Sequence, residues 1–275
     1  MMKYTAKSLN YIFRNLGWLV LFGLFPAVFL AYSIDTVTIS ALLRDYFSGR
    51  PYASFSDIFH SVSIFNFRSV SATFADILGV LLTVACVAMM MAFMEKHMRI
   101  GKKTWNGLFS KLNDNLLSTF GIAVLFAAIY ELWALITSAL LLCVTFIASK
   151  TVIYAVSAAV WIGMHIALLS VISLFYLWLP CLQITGFKSF EALSYSYQLA
   201  SGVKRTFVWE QFLSMAVSEI LFGAVSIFVP WGWLKLVLNT AVFAGLILLF
   251  VTRMQVAYFD RAQLERADLR KYYFD

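Results

Sequence analysis

Long apolar runs alternate with short polar breaks along this chain, and their lengths set the architecture. Six runs reach about 20 residues or more, the length a helix needs to cross ~30 Å of hydrocarbon. They fall at 15–34, 70–94, 116–148, 152–185, 207–229 and 234–253. Transmembrane strands are ~10 residues long with alternating polarity, and none of these runs reads that way. The expected fold is all-α, a single domain built as a polytopic transmembrane bundle of six spans. The third and fourth runs are longer than a bilayer requires. Joined by the short turn Ser149-Lys150-Thr151, they should form a hairpin that tilts or projects past the membrane. Pro26 should kink the first span, and Pro180 should kink or end the fourth.

The breaks carry their own patterns. The 34–69 segment is too aromatic for an ordinary loop, with Tyr46, Phe47, Tyr52, Phe55, Phe59, Phe65 and Phe67. Residues 48–51 (SGRP) read as a turn. Ser54 and Asp57 then stand at capping-box spacing, and Phe55, Ile58, Phe59 and Val62 follow at helical spacing. This predicts a short amphipathic helix, either lying on the outer surface or packed over the bundle as a hydrophobic lid. Trp105, Leu108, Phe109 and Leu112 predict a basic amphipathic surface helix within 96–114. Glu191 to Gly202 reads as an elbow helix along the inner face, with Phe190, Leu193 and Tyr197 as its apolar stripe and Gly202 as its C-cap. Lys204 and Arg205 mark the membrane edge beyond it. The elbow is a structural connector or a helix on which a cytoplasmic partner acts. In the tail, 254–275, Arg261 and Glu265 stand at i,i+4 and suggest a solvated helix or a docking site for a partner.

Composition strengthens the membrane reading. Hydrophobic residues make up 62% of the 275 and charged ones 13%, about half the ~25% usual in soluble domains. A soluble fold could not cover its surface with so few polar groups. The net charge of +7 reflects flanking of spans rather than nucleic-acid binding, because no basic run is interleaved with polar base-reading residues. With the N-terminus inside, sixteen Lys and Arg fall on inner segments and five on outer ones. That bias predicts both termini in the cytoplasm. The first run follows Lys3, Lys7 and Arg14 and is too long for a signal-peptide core, so an uncleaved first helix is expected. The inner loops should meet anionic headgroups. Cys86, Cys143 and Cys181 lie in apolar stretches without metal-ligand spacing, and neither a metal nor a cofactor is expected. No phosphate loop or hydrolase motif appears, so no catalytic residue is assigned and an enzyme is not expected.

Ionisable groups at bilayer depth are the candidate site, because a charge there costs at least ~2.5–3.5 kcal/mol. Asp76, Glu131, His165 and Glu219 form this set. At 1.5 Å per residue, Glu131 and His165 lie roughly 27 and 21 Å from the 149–151 turn, so they are expected to pair. Ser214, Ser218 or a polar group on another helix would serve Glu219. Glu210 and Arg253 sit near the inner face, where they could pair, and the favoured expectation is that they snorkel to it.

The stretch 173–213, SLFYLWLPCLQITGFKSFEALSYSYQLASGVKRTFVWEQFL, runs from a Pro-containing helix end through Glu-Ala-Leu, Ser194 and Leu-Ala-Ser-Gly to a basic pair. With RIGKKTWNGLF at 99–109, it resembles a group of bacterial six-helix membrane proteins related to the membrane domain of glycerophosphodiester phosphodiesterases. Where many relatives have a turn like Asp-Asn-Pro, this chain has Gly186-Phe187-Lys188. The resemblance implies a six-helix bundle in a bacterial plasma membrane and no particular chemistry. The expected function is a transmembrane component of a transport or lipid-handling system, with a membrane or cytoplasmic protein as a further partner. The alternative is a non-catalytic scaffold or regulatory subunit, and an intramembrane lipid-modifying enzyme ranks last.

Overall fold

The computed structural model describes residues 2–48, 54–147 and 149–270. The expected turn at 49–51 and Tyr52 lie outside these residues, as does the end of the tail. All regular structure among the described residues is helical. The helices are α1 (Lys3–Arg14), α2 (Leu16–Ser33), α3 (Thr36–Ser48), α4 (Phe55–Val62), α5 (Val70–Ile100), α6 (Leu108–Val144), α7 (Lys150–Phe175), α8 (Trp178–Thr185), α9 (Ser189–Ser201), α10 (Lys204–Phe228), α11 (Gly232–Arg261) and α12 (Ala267–Arg270).

Six of these elements are long and apolar enough to span a membrane: α2, α5, α6, α7 continued by α8, α10 and α11. The protein is thus an integral membrane helix bundle. Each span packs on the next in sequence, and α11 closes the ring by packing on α2. α5 and α11 also meet across the ring. Two glycines allow the tightest approaches. A Cβ on Gly23 would stand 2.9 Å from Leu248 of α11, and one on Gly79 would stand 2.8 Å from Leu30 of α2. Small residues at such crossings let backbones close in where lipid supplies no hydrophobic drive.

The hairpin expectation holds. α6 has 37 residues, about 55 Å of helix, well beyond the hydrocarbon thickness. The fourth run bends at Tyr176 and Leu177, both fully buried, and resumes as α8. Pro180 then sits in the first turn of α8, where a missing N–H costs no helical bond. Pro26 lies inside α2 without ending it.

An even number of spans puts both termini at one end, here called the terminal end. There α1 is an amphipathic helix that the sequence reading had not separated from α2. Tyr4, Thr5, Ser8, Tyr11 and Ile12 face inward, while Leu9 and Phe13, and Leu16 at the start of α2, are exposed. The core beneath it is rich in methionine, with Met90, Met91, Met94 and Met98 of α5 buried against Met254 of α11. At the opposite, distal end, α3 and α4 fold over the bundle, and α4 packs on α6. Ser54 caps α4 as expected, accepting from the Asp57 amide at 3.1 Å. The described parts of the 34–69 segment therefore form a packed lid whose Ile58 is 2% exposed.

Candidate functional site

The deep carboxylates divide into three separate arrangements. At the distal end, Glu131 of α6 and Asp76 of α5 grip one short stretch of backbone. The Ile64 amide donates to Glu131 Oε1 at 2.8 Å and the Ser63 hydroxyl donates to Oε2 at 2.9 Å. Two residues on, the Asn66 amide donates to Asp76 Oδ2 at 2.7 Å. The chain between α4 and α5 has no helical partners for these amides, so the acids supply acceptors that the interior lacks. Arg68 completes the lid, donating to Asp35, Thr38 and Asp57. Burial pushes the Asp35 carboxyl up, but hydrogen bonds from Thr38 and the Arg68 charge outweigh it and hold the group below its usual value. The Ser54 hydroxyl and Arg68 do the same for Asp57.

The second arrangement corrects the expected Glu131–His165 pair. His165 Nε2 meets Glu219 Oε1 at 2.8 Å, and its Nδ1 meets the Trp161 carbonyl at 2.7 Å. Glu131 is directed toward the lid because unpaired amides there need an acceptor, a demand that distance along the hairpin does not reveal. Ser218 and Ser214 do not serve Glu219. Each donates to the carbonyl four residues earlier, Ser214 and Glu210 respectively.

The third arrangement corrects the expected snorkelling of Glu210 and Arg253. Both are 1% exposed, with Arg253 Nε 3.7 Å from Glu210 Oε2. Arg253 Nη2 also donates to Ser214 Oγ at 2.6 Å. Glu210 caps α1 from outside that helix. The Tyr4 and Thr5 amides donate to its two oxygens at 3.0 and 2.9 Å, and the Thr5 hydroxyl adds a bond of 2.9 Å. A carboxylate at a helix N-terminus meets both the open amides and the positive end of the dipole. Only the docking of α1 makes this site dry, so spacing along the sequence could not reveal it.

The terminal end also holds a cleft of about 1450 Å³ between α1, the end of α5, the 101–106 loop and the tail. Its basic lining is Lys7, Arg14, Lys96, Lys102, Lys103 and Arg266. Its acids are Asp260, Glu265 and Asp268. Asp260 and Asp268 hold basic partners. Lys3 and Lys7 bind Asp260 at 2.8 and 2.7 Å, and Arg266 binds Asp268 at 2.7 Å. Lys102 and Lys103 project from the loop and are exposed. The expected surface helix over 96–114 is absent. α5 runs on to Ile100, Gly101 ends it with φ at 74°, and α6 starts only at Leu108. Trp105 is instead the anchor of a non-helical loop, its ring 5.5 Å from Trp18 and 5.4 Å from Phe22. Lys96 fixes the other side by donating to the Asn106 carbonyl at 3.0 Å. At the cleft floor Tyr11 and His97 share a 2.8 Å hydrogen bond, and burial pushes the Tyr11 hydroxyl well above its usual value. Burial and Asp260 push the Tyr4 hydroxyl up to about 12.

The tail is not a solvated helix over its described part. α11 ends at Arg261, Gln263 turns the chain with φ at 54°, and α12 returns onto α5. Arg261 caps the elbow rather than pairing with Glu265, donating to the Leu199 carbonyl at 3.0 Å near the C-terminus of α9. The elbow forms at its expected place. Glu191 accepts from the Lys188 amide at 3.2 Å, Ser194 is exposed, Gly202 is the C-cap, and Lys204 and Arg205 open α10. Its inward stripe is Ala192, Ser196 and Ala200, while Phe190 and Tyr197 face outward. Among the described residues, no group of three or more His, Cys, Asp or Glu could hold a metal ion. Compared with known proteins, the chain matches no family, no curated sequence and no solved structure.

Proposed function

We propose that the protein is a plasma-membrane component that binds anionic phospholipid headgroups at the cytoplasmic face, within a lipid-handling or transport system. The cleft carries this reading. Six basic side chains surround a space of about 1450 Å³, and each basic group near an anionic surface is worth about 1 kcal/mol. The exposed Leu9 and Phe13 of α1, with Leu16 at the start of α2, suit the headgroup boundary, so a phosphodiester could enter from the side. The bias of sixteen basic residues to five supports a cytoplasmic terminal end, and the resemblance to bacterial six-helix proteins agrees with a plasma membrane.

Protein in nanodiscs, titrated with phosphatidylglycerol against phosphatidylcholine, tests the reading by native mass spectrometry. Retention of phosphatidylglycerol supports it, and equal retention of both lipids refutes it. Single-cysteine labelling tests orientation, with Lys102 and Lys188 expected inside and Lys150 outside.

A scaffold is the second reading. Glu131 and Asp76 spend their acceptors on the lid backbone, and α9 presents Phe190 and Tyr197 outward. Loss of a co-purifying protein on Phe190→Ser, with lipid retention unchanged, would favour it.

A further inference from the structure

We infer that His165 and Glu219 form a proton-binding site in the middle of the bundle, in which one proton held between the two side chains clamps α7 to α10. The inference is independent of the lipid reading.

The hydrogen bonds define the proton count. The Trp161 carbonyl can only accept, so the 2.7 Å contact requires a proton on His165 Nδ1. The 2.8 Å contact between Nε2 and Glu219 Oε1 then needs a second proton between them. That proton sits on Nε2 facing a carboxylate, or on the carboxyl facing a bare Nε2. Without it, two lone pairs would face each other across 2.8 Å in a weakly polar interior.

The surroundings enclose the imidazole. The imidazole is 1% exposed. The Trp161 ring centroid lies 4.1 Å away, Trp133 stands edge-on at 4.8 Å, and Phe212 follows at 6.5 Å. The Trp161 ring is close enough to attract a cationic imidazolium. The Trp133 indole is tied to α7 through the Met164 carbonyl at 2.8 Å.

Other charges approach from the packed helices. On α6, Tyr130 lies within electrostatic reach of both Glu219 and Glu131, and Glu131 is bound to the lid. Of the charged side chains on α11, Arg253 bonds to Ser214 and Lys235 to the Ser226 carbonyl. Glu191 of α9 holds the Lys188 amide. α3, whose Leu43 stands 3.2 Å from where a Cβ on Gly223 would lie, brings Arg44 and Asp45. The Glu219 side chain is 32% exposed against 1% for His165, so the carboxyl is the open side of the pair.

The clamp has a mechanical consequence. In full-length protein in lipid nanodiscs, Glu219→Leu, which removes the partner of Nε2, should lower Tm by about 4 °C. Glu219→Gln should recover most of that loss, because its amide can donate to a neutral Nε2. A Tm unchanged in Glu219→Leu overturns the proposal.

A second measurement needs no folded variant of the pair. With ¹⁵N-histidine labelling, His60→Gln and His97→Gln identify the third of the three histidines. The His165 signal should show Nδ1 protonated and Nε2 sharing a proton with Glu219. A bare Nδ1 with a protonated Nε2 at every pH overturns it as well.

Discussion

The two ends of the bundle treat buried acid in opposite ways. At the distal end, Glu131 and Asp76 accept from amides of one short connector and close it onto the bundle. At the terminal end, Glu210 accepts from the first turn of α1 and also faces Arg253. The distal acids finish a lid. The terminal acid holds in place an amphipathic helix that forms one wall of a basic cleft. A carboxylate at bilayer depth is therefore not a functional mark in itself. What it does depends on which groups need an acceptor within its reach.

The comparison breaks most readily at Glu210. Glu210→Leu should destabilise the protein by about 3–5 kcal/mol, since Arg253 would be left as an uncompensated buried charge. Thermal unfolding in detergent should report this, and Arg253→Met combined with it should recover part of the loss. Recovery would identify the stranded charge as the main cost, and no recovery would identify the α1 cap.

At the distal end Glu131→Ala should cost about 1–3 kcal/mol, the penalty for leaving buried donors without an acceptor. Hydrogen exchange should rise at Ile64 while retention of anionic lipid is unchanged. A change in lipid retention would show that the two ends communicate.

Charge reversal tests the cleft itself. Lys102→Glu with Lys103→Glu should weaken retention of phosphatidylglycerol at least tenfold, given about 1 kcal/mol per basic group. Unfolding should shift by no more than about 0.5 kcal/mol, as for most surface changes.

The smallest effect is expected from acid. Asp35 and Asp57 sit below the usual carboxylate range in the folded lid. Their contribution is present above that range and is lost as pH falls through their lowered folded values. Protease cleavage in the lid should therefore rise at strongly acid pH, and Arg68→Gln should move that rise to higher pH.

Much of this could be read along the chain. The six spans fall within a few residues of their apolar runs, apart from ends that extend further: α5 to Ile100, α6 back to Leu108 and α11 to Arg261. Those extensions carry charges, which an apolar-run criterion excludes by construction. The Ser54 cap and the elbow helix were legible because capping and helix formation are local. The 96–114 helix was misread because helical spacing cannot register that Gly101 takes a left-handed conformation and that Trp105 finds an aromatic pocket on α2.

Pairing among polar groups was the least legible part. Asp76, Glu131, His165 and Glu219 stand out in the sequence because a membrane makes such residues costly. Their partners are not set by that cost. Glu131 bonds to residues 63 and 64, and Glu210 to residues 4 and 5, on segments far away along the chain. Composition and run length alone determined a six-span helical membrane protein, because hydrophobic thickness acts on each helix independently. Only tertiary structure decided which acid closes a lid, which caps α1 and which meets a histidine, because a buried acceptor is claimed by whatever donor the packing leaves unpaired.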